Sequence, residues 1–260
     1  MTYTVPTVTA GTAGKSTLAS VSITKPSTVL IGDLLVLIVA TEATATGIYV
    51  PEGFLPIVSE LSQGAAVNMR AWYKFATHAE PAAYTVTFAA ADDSIYNLLI
   101  VRGVDPADVI NVVDADAGNA GLPIAEPGVT TTVDNCLAVS VLACDGSPRV
   151  IVQPSGWTLH KSEDGPAGSI SSGIAYKTIA TAGASGGGNW TATDSSAADY
   201  LTLTFAVAPG VMGRSPAILY APQQLLALTL ADCSEFRNLV GASTHAEAFA
   251  RIWHESLPPP

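Results

Sequence analysis

The feature that most constrains this chain is a short apolar run that occurs twice. Leu34-Leu35-Val36-Leu37-Ile38-Val39-Ala40, led in by Gly32-Asp33, is apolar throughout and rich in β-branched residues. Such a run reads as a strand buried on both faces, and it is too short to cross a membrane. A weaker copy, Cys136-Leu137-Ala138-Val139-Ser140-Val141-Leu142-Ala143-Cys144, lies in the second half. Landmarks downstream of the two runs repeat in the same order. Pro51-Glu52-Gly53-Phe54 is answered by Pro154-Ser155-Gly156-Trp157, and Trp72-Tyr73-Lys74 by Ala175-Tyr176-Lys177. Ala83-Tyr84-Thr85-Val86-Thr87 is answered by Asn189-Trp190-Thr191-Ala192-Thr193, and the strand from Ser94 by the strand from Tyr200. The offset is 103 for the first two pairs and 106 for the last two, the difference falling around Gly186-Gly187-Gly188.

This pattern predicts an internally duplicated set of antiparallel strands over residues 1–210. The two sets would pack face to face as one all-β sandwich of jelly-roll type, with two small domains in tandem as the competing arrangement. Alternation predicts strands near 4–9, 18–24, 33–41, 54–61, 69–76, 83–89 and 94–101, and residues 44–53 read as a loop closed by a turn. Residues 104–130 read as a loop, though one studded with Val109, Ile110, Val112 and Val113.

After Pro209-Gly210 the period changes. Pro222 suits a first helical position ahead of Leu225, Leu226, Leu228 and Leu230. Asp232 or Ser234 can cap a helix through Phe236, Leu239 and Val240 that stops at Gly241. Thr244-His245-Ala246-Glu247 has capping-box spacing and opens a helix that places Ala248, Phe249, Ile252 and Trp253 on one face. Residues 216–260 are therefore expected to form a small α-helical module. It is too short to hold a generous core, so it must pack on the sandwich, on a copy of itself or on another protein. Leu225, Leu226, Phe236, Leu239, Phe249, Ile252 and Trp253 are its candidate partner-binding residues.

Composition narrows the function classes. Charged residues are 13% of the 260, against 48% hydrophobic, so the surface is expected to be dominated by Thr, Ser, Gly and Ala. A net charge of −11 repels phosphate, which argues against nucleic acid and against anionic membrane surfaces. Cys136, Cys144 and Cys233 leave an odd thiol and form no C-x-x-C pair, so no disulfide framework is expected. The first residues lack a basic stretch followed by an apolar core, so folding in a reducing cytoplasm is the expectation.

No constellation names a reaction. Thr9-Ala10-Gly11-Thr12-Ala13-Gly14-Lys15-Ser16 resembles the end of a phosphate loop, but Thr9 stands where the first Gly is needed and strand follows, so it reads as a flexible Gly/Thr loop. Asp114-Ala115-Asp116-Ala117-Gly118-Asn119 could begin a calcium loop, but no Glu closes it in register, and a solvated turn is the favoured reading. His78, His160, His245 and His254 are scattered, and no Gly-x-Ser-x-Gly elbow is present. A glycosidase drawing its two acids from distant strands would leave the same sequence. No cofactor is expected. Tyr49, Phe54, Trp157 and Trp190, beside Gly-rich turns, are candidate glycan-stacking residues, although aromatics there more often plug the end of a sandwich.

Gly32-Asp33-Leu34-Leu35-Val36, then Pro51-Glu52-Gly53-Phe54, then Trp72-Tyr73-Lys74-Phe75-Ala76 with Glu80-Pro81, then Arg102-Gly103-Val104-Asp105 resemble a β-sandwich module of tailed-bacteriophage virion proteins, over residues 1–210. The resemblance implies a displayed, non-enzymatic piece of tail, fibre or head decoration, localised to the virion and made in the host cytoplasm. It implies other virion proteins (capsid, neck or tail) and copies of the same chain as partners. A carbohydrate-binding adhesin that recognises host surface glycans is the alternative. A structural protein is expected to tolerate alanine at Trp190 and to fail without residues 216–260, and a lectin to behave the opposite way.

Overall fold

The computed structural model describes residues 3–42, 47–146, 149–165, 169–193 and 196–211. Among them there are strands and no helix. The expected helical module and all seven of its candidate partner residues lie outside the described residues, as does Cys233.

The first half contains β2 (Thr7–Ser16), β3 (Ser20–Thr24), β4 (Leu34–Glu42), β5 (Ile48–Tyr49), β6 (Leu55–Gln63), β7 (Val67–Phe75), β8 (Ala83–Phe88) and β9 (Ser94–Arg102), preceded by β1 (Tyr3–Thr4). The second half contains β10 (Ile110–Gly121), β11 (Ile124–Ala125), β12 (Cys136–Asp145), β13 (Ile151–Val152), β14 (Thr158–Asp164), β15 (Ile170–Ile179), β16 (Asn189–Ala192) and β17 (Ala197–Val207), followed by β18 (Gly210–Val211). The first half makes a five-stranded sheet, β2-β9-β4-β7-β6, and a three-stranded sheet, β3-β8-β5. The second half repeats both orders, β10-β17-β12-β15-β14 and β11-β16-β13. All pairings are antiparallel, so the duplication legible in the sequence is a duplication of topology.

The central runs are apolar, except at Ser140, because each strand faces two cores. Successive side chains of a strand point to opposite faces. Leu35, Leu37 and Val39 of β4 enter a core with Val21 and Ile23 of β3 and Tyr84, Val86 and Phe88 of β8. Leu34, Val36, Ile38 and Ala40 enter another core with Leu137, Val139, Val141 and Ala143 of β12. Cys136, Ala138, Leu142 and Cys144 then fill the core between the two sheets of the second half. The layers are thus three-stranded, five-stranded, five-stranded and three-stranded, with three apolar cores between them. Each half has a core of its own, and the halves share a third, so the layers are four and not the two of a single sandwich.

Both central strands are entered through a left-handed residue, Gly32 at φ 84° and Asn135 at φ 61°. Gly and Asn are the residues that adopt this conformation at least cost, so the equivalent position in each half carries one of the two.

The direction of the halves follows from the register. β1 pairs with β18, Val104 bridges Pro209, and the Gly210 N–H donates to the Gly103 carbonyl at 2.6 Å. The first strand, the link between halves and the end of the described chain therefore meet at one end, called the base. At the opposite end, the tip, the Ser169 hydroxyl bonds the Asp93 carboxylate and Lys15 Nζ donates to the Asp164 carbonyl at 3.0 Å.

Two expected loops are strands. Residues 110–121 form β10, which pairs along its length with β17. The small polar residues there occupy an edge strand, where low hydrophobicity is tolerated because little of the surface is buried. Gly11–Ser16 belongs to β2, which pairs with β9 across an irregularity between Thr9 and Thr12. Cys136 and Cys144 are free and buried, and burial pushes both thiols up to about 11, consistent with small apolar packing residues.

Phe205 is fully buried in the core shared by the two halves. Phe205→Ala is expected to cost about 3–5 kcal/mol in denaturant unfolding. Hydrogen exchange should show β4 and β12 amides losing protection together, because one core serves both.

Candidate functional site

The four candidate glycan residues fall into two environments. Phe54, Trp157 and Trp190 are buried, at 6%, 5% and 0% exposure, while Tyr49 is 58% exposed. The three buried rings cannot offer a face to a sugar, so the platform of four rings is not formed. Phe54 and Trp157 pack at the base ends of the two halves, and Trp190 lies inside the core of the second half, over Ser140 and Gly173. Tyr49 stands on the outer face of the first three-stranded sheet, pairing with Thr87, beside the exposed hydroxyls of Ser20, Ser22 and Thr85.

Each closed base end combines aromatic rings, a lysine and a carboxylate, though the halves assemble them differently. In the first half, Phe54 and Tyr84 meet edge to face, with centroids 5.3 Å apart and planes at 85°. Lys74 Nζ lies 5.9 Å from the Phe54 centroid and 5.8 Å from that of Tyr84, which favours the cation. The same ammonium pairs with Glu80 Oε2 at 3.0 Å. Glu80 also accepts from Tyr84 OH at 2.7 Å and from the Thr77 N–H at 2.9 Å. Burial pushes the Glu80 carboxyl up, but the Thr77 N–H, the Tyr84 hydroxyl and Lys74 together overcome it and hold the group below its usual range. Burial and the Glu80 charge push the Tyr84 phenol far above its usual value.

In the second half, Lys177 Nζ lies 5.1 Å from the Trp157 ring centroid, as Lys74 does over Phe54. The carboxylate comes from a different element. Glu126, just after β11, is only 4% exposed and accepts from the Thr204 hydroxyl at 3.0 Å and the Ser185 hydroxyl at 3.4 Å. Burial pushes its carboxyl up, and the Thr204 hydroxyl, the Lys177 charge and the Ser185 hydroxyl offset this only in part. Trp190 Nε1–H donates to Ser140 Oγ at 3.2 Å, which lies 3.1 Å from Thr204 Oγ1. Trp190 fits because its neighbour on β15 is Gly173, whose Cβ position would be 2.8 Å from Trp190 Cζ3.

The acidic stretch read as a solvated turn lies on strand β10. Asp116 Oδ2 accepts from Tyr200 OH at 3.4 Å, and Asn119 Nδ2 donates to Asp199 Oδ1 at 3.0 Å. Next to it, a groove of about 270 Å³ is lined by Leu61, Ser62, Ala115, Asp116, Ala117 and Leu201, where the two halves meet. The sequence reading missed Glu80 and Glu126 as buried carboxylates. Glu80 sits six residues after Lys74 in a turn, and Glu126 precedes Pro127, positions where solvated acids are the rule.

No family model matches the chain, and no curated protein or solved structure does.

Two predictions follow from these environments. Trp190→Ala should cost about 3–5 kcal/mol, contrary to the expected tolerance at that position, whereas Tyr49→Ala should change stability by less than about 0.5 kcal/mol. Thermal unfolding of both variants separates the two cases. Glu80 has a depressed pKa, so its stabilising contribution is present above the ordinary carboxylate range and is lost as pH falls through the folded value. Glu80→Gln should therefore remove part of the acid sensitivity seen in unfolding measured against pH.

Proposed function

We propose that this chain is a non-enzymatic structural protein of a tailed-phage virion, displayed on capsid, neck or tail. Each half is read as a jelly-roll sandwich, and the two are fused back to back through their five-stranded sheets. The observation that carries this reading is the gathering of β1, the link between halves and β18 at one base. Residues 212–260 follow β18 in the sequence, so an attachment made through them would act on the side of that base. The apolar residues Leu225, Leu226, Phe236, Leu239, Phe249, Ile252 and Trp253 would make the anchor, to other virion proteins or to copies of the same chain. The shared core suits the role, since a rigid body transmits position without needing a moving part.

The test is solution mass, measured by light scattering, for the full chain and for a chain ending at residue 215. A full-length trimer or hexamer that becomes monomeric on truncation supports the reading. A monomer in both cases removes its main support. A second reading, recognition of a neutral host glycan, is favoured by one observation, exposed Tyr49 among the hydroxyls of Ser20, Ser22, Thr85 and Thr87. Glycan-array binding that Tyr49→Ala abolishes and truncation leaves intact would promote it above the first.

A further inference from the structure

The two five-stranded sheets end in β2 and β6 in the first half and in β10 and β14 in the second. Three of these edge strands carry the irregularities that keep exposed edges from recruiting other chains. β2 slips register between Thr9 and Thr12, and β14 between Leu159 and Lys161. β6 slips twice, between Pro56 and Val58 and between Val58 and Leu61, with Pro56 itself on the strand. β10 is irregular only at its start, between Ile110 and Val112, and then pairs with β17 without a break from Val112 to Gly121. Antiparallel pairing turns the N–H and C=O of every second residue away from the partner, so this stretch offers a long, straight row of them. It contains no Pro, Lys or Arg. The Ala115 N–H is met by Asp114 Oδ1 at 2.9 Å, a bond within the strand itself.

The two seams between the sheets differ in the same sense. β2 lies beside β14, and β6 beside β10. In the first seam Lys15 crosses to β14, its Nζ donating to the Asp164 carbonyl at 3.0 Å and standing 3.9 Å from the Asp164 carboxylate. Lys15 pairs with Ile95 and Ala117 with Leu201, which the repeat offset of 106 makes equivalent. Asp164 pairs with Ser171 and Ser62 with Asn68, which the offset of 103 makes equivalent. Ala117 and Ser62 therefore occupy in the second seam the places that Lys15 and Asp164 occupy in the first. Both members of the strap are missing there, and the groove of about 270 Å³ lies between Leu61, Ser62, Ala115, Asp116, Ala117 and Leu201. Its apolar walls suit the stem of a lysine, while Ser62 and the exposed Asp116 supply an acceptor and a charge for the head.

We propose that β10 is a docking edge that takes an extended segment of another protein by strand addition, with a lysine of that segment seated in the groove. Main-chain hydrogen bonds to the open side of β10 supply affinity, and the groove selects the side chain. Charge favours a foreign, basic strand over a second β10. Two copies of β10 paired antiparallel would bring Asp114 and Asp116 of one toward those of the other, and like charges on paired strands oppose the pairing. The net charge of −11 on the whole chain also favours a cationic partner. This edge lies in residues 110–121, so it stands or falls separately from the attachment proposed through residues 212–260.

The test uses the full chain and synthetic peptides of about ten residues that alternate Thr and Gln around a central Lys, Glu or Leu. Fluorescence anisotropy reads binding, and amide exchange at 112–121 locates it. The Lys peptide should bind and slow exchange along β10, with the Leu and Glu peptides weaker by about tenfold or more. Ala117→Lys supplies the strap from within, as Lys15 does in the first seam, and should abolish binding without lowering Tm. If that variant fails to fold, Asp116→Asn decides, weakening the Lys peptide and leaving the Leu peptide unchanged. A chain ending at residue 215 should bind the Lys peptide as the full chain does, whereas binding lost with the tail would assign the docking to the tail instead. Unchanged exchange at 112–121 with the Lys peptide, equal affinity for the Lys and Leu peptides, or full binding by Ala117→Lys would overturn the proposal. So would protection of 112–121 that rises with protein concentration in the absence of peptide, since a second copy would then be the occupant.

Discussion

The structure depends on β4 and β12 being apolar on both faces. A strand with one wet face would allow each half to stand as two sheets and leave the outer side of its five-stranded sheet to water. Here that side carries Leu34, Val36 and Ile38 in one half and Leu137, Val139 and Val141 in the other. Each half would expose a broad apolar sheet without its partner, and such surfaces associate. The pairing of β1 with β18 and the bridge from Val104 to Pro209 then complete an end that the shared core has already brought together.

The halves show how the same topology can satisfy a lysine near its base in two ways. Lys74 has its carboxylate in direct contact, inside the turn that follows its own strand, and the ion pair is completed by a phenol and a backbone N–H. Lys177 faces a carboxylate that is bound by hydroxyls instead, at the end of a polar chain running through the core. The first arrangement lowers its acid and the second raises its acid, although both are buried. What decides the sign is the count of strong donors aimed at the carboxylate, an ammonium and an N–H in one case against hydroxyls alone in the other.

Much of the fold was legible because the signals were local and repeated. The double-faced runs, the Pro-x-Gly-aromatic turns and the aromatic-Lys strands each report one element, and their common order reports the duplication. What was not legible depended on context. The run Ile110–Gly121 has the composition of a loop, and it is a strand only because β17 offers it an edge to pair with. The three-stranded sheets were hard to foresee since β5, β11 and β13 are two residues long and owe their pairing to neighbours already in place. The candidate site was less legible than the fold. Aromatics beside turns signal a sandwich end, but only the packed structure distinguishes Tyr49, which faces outward, from Trp190, which lies over Gly173. Glu126 left no pattern at all, since its hydrogen-bond partners Ser185 and Thr204 are 59 and 78 residues away.

The duplication also bears on how such a body can evolve. In a dimer of identical subunits, a change at the base would appear at both ends of the interface and would have to suit both. Fusing two copies frees each position to change once. Leu37 and Leu98 keep the first core dry, while Ser140 and Thr204 admit a carboxylate into the second. The cost of that carboxylate is confined to the outer core of one half, because Ser140 and Thr204 point away from the interface that Val139, Val141, Leu203 and Phe205 share with the other half. Alternation along a strand thus insulates the joint on which both halves depend from the polar chemistry one residue away.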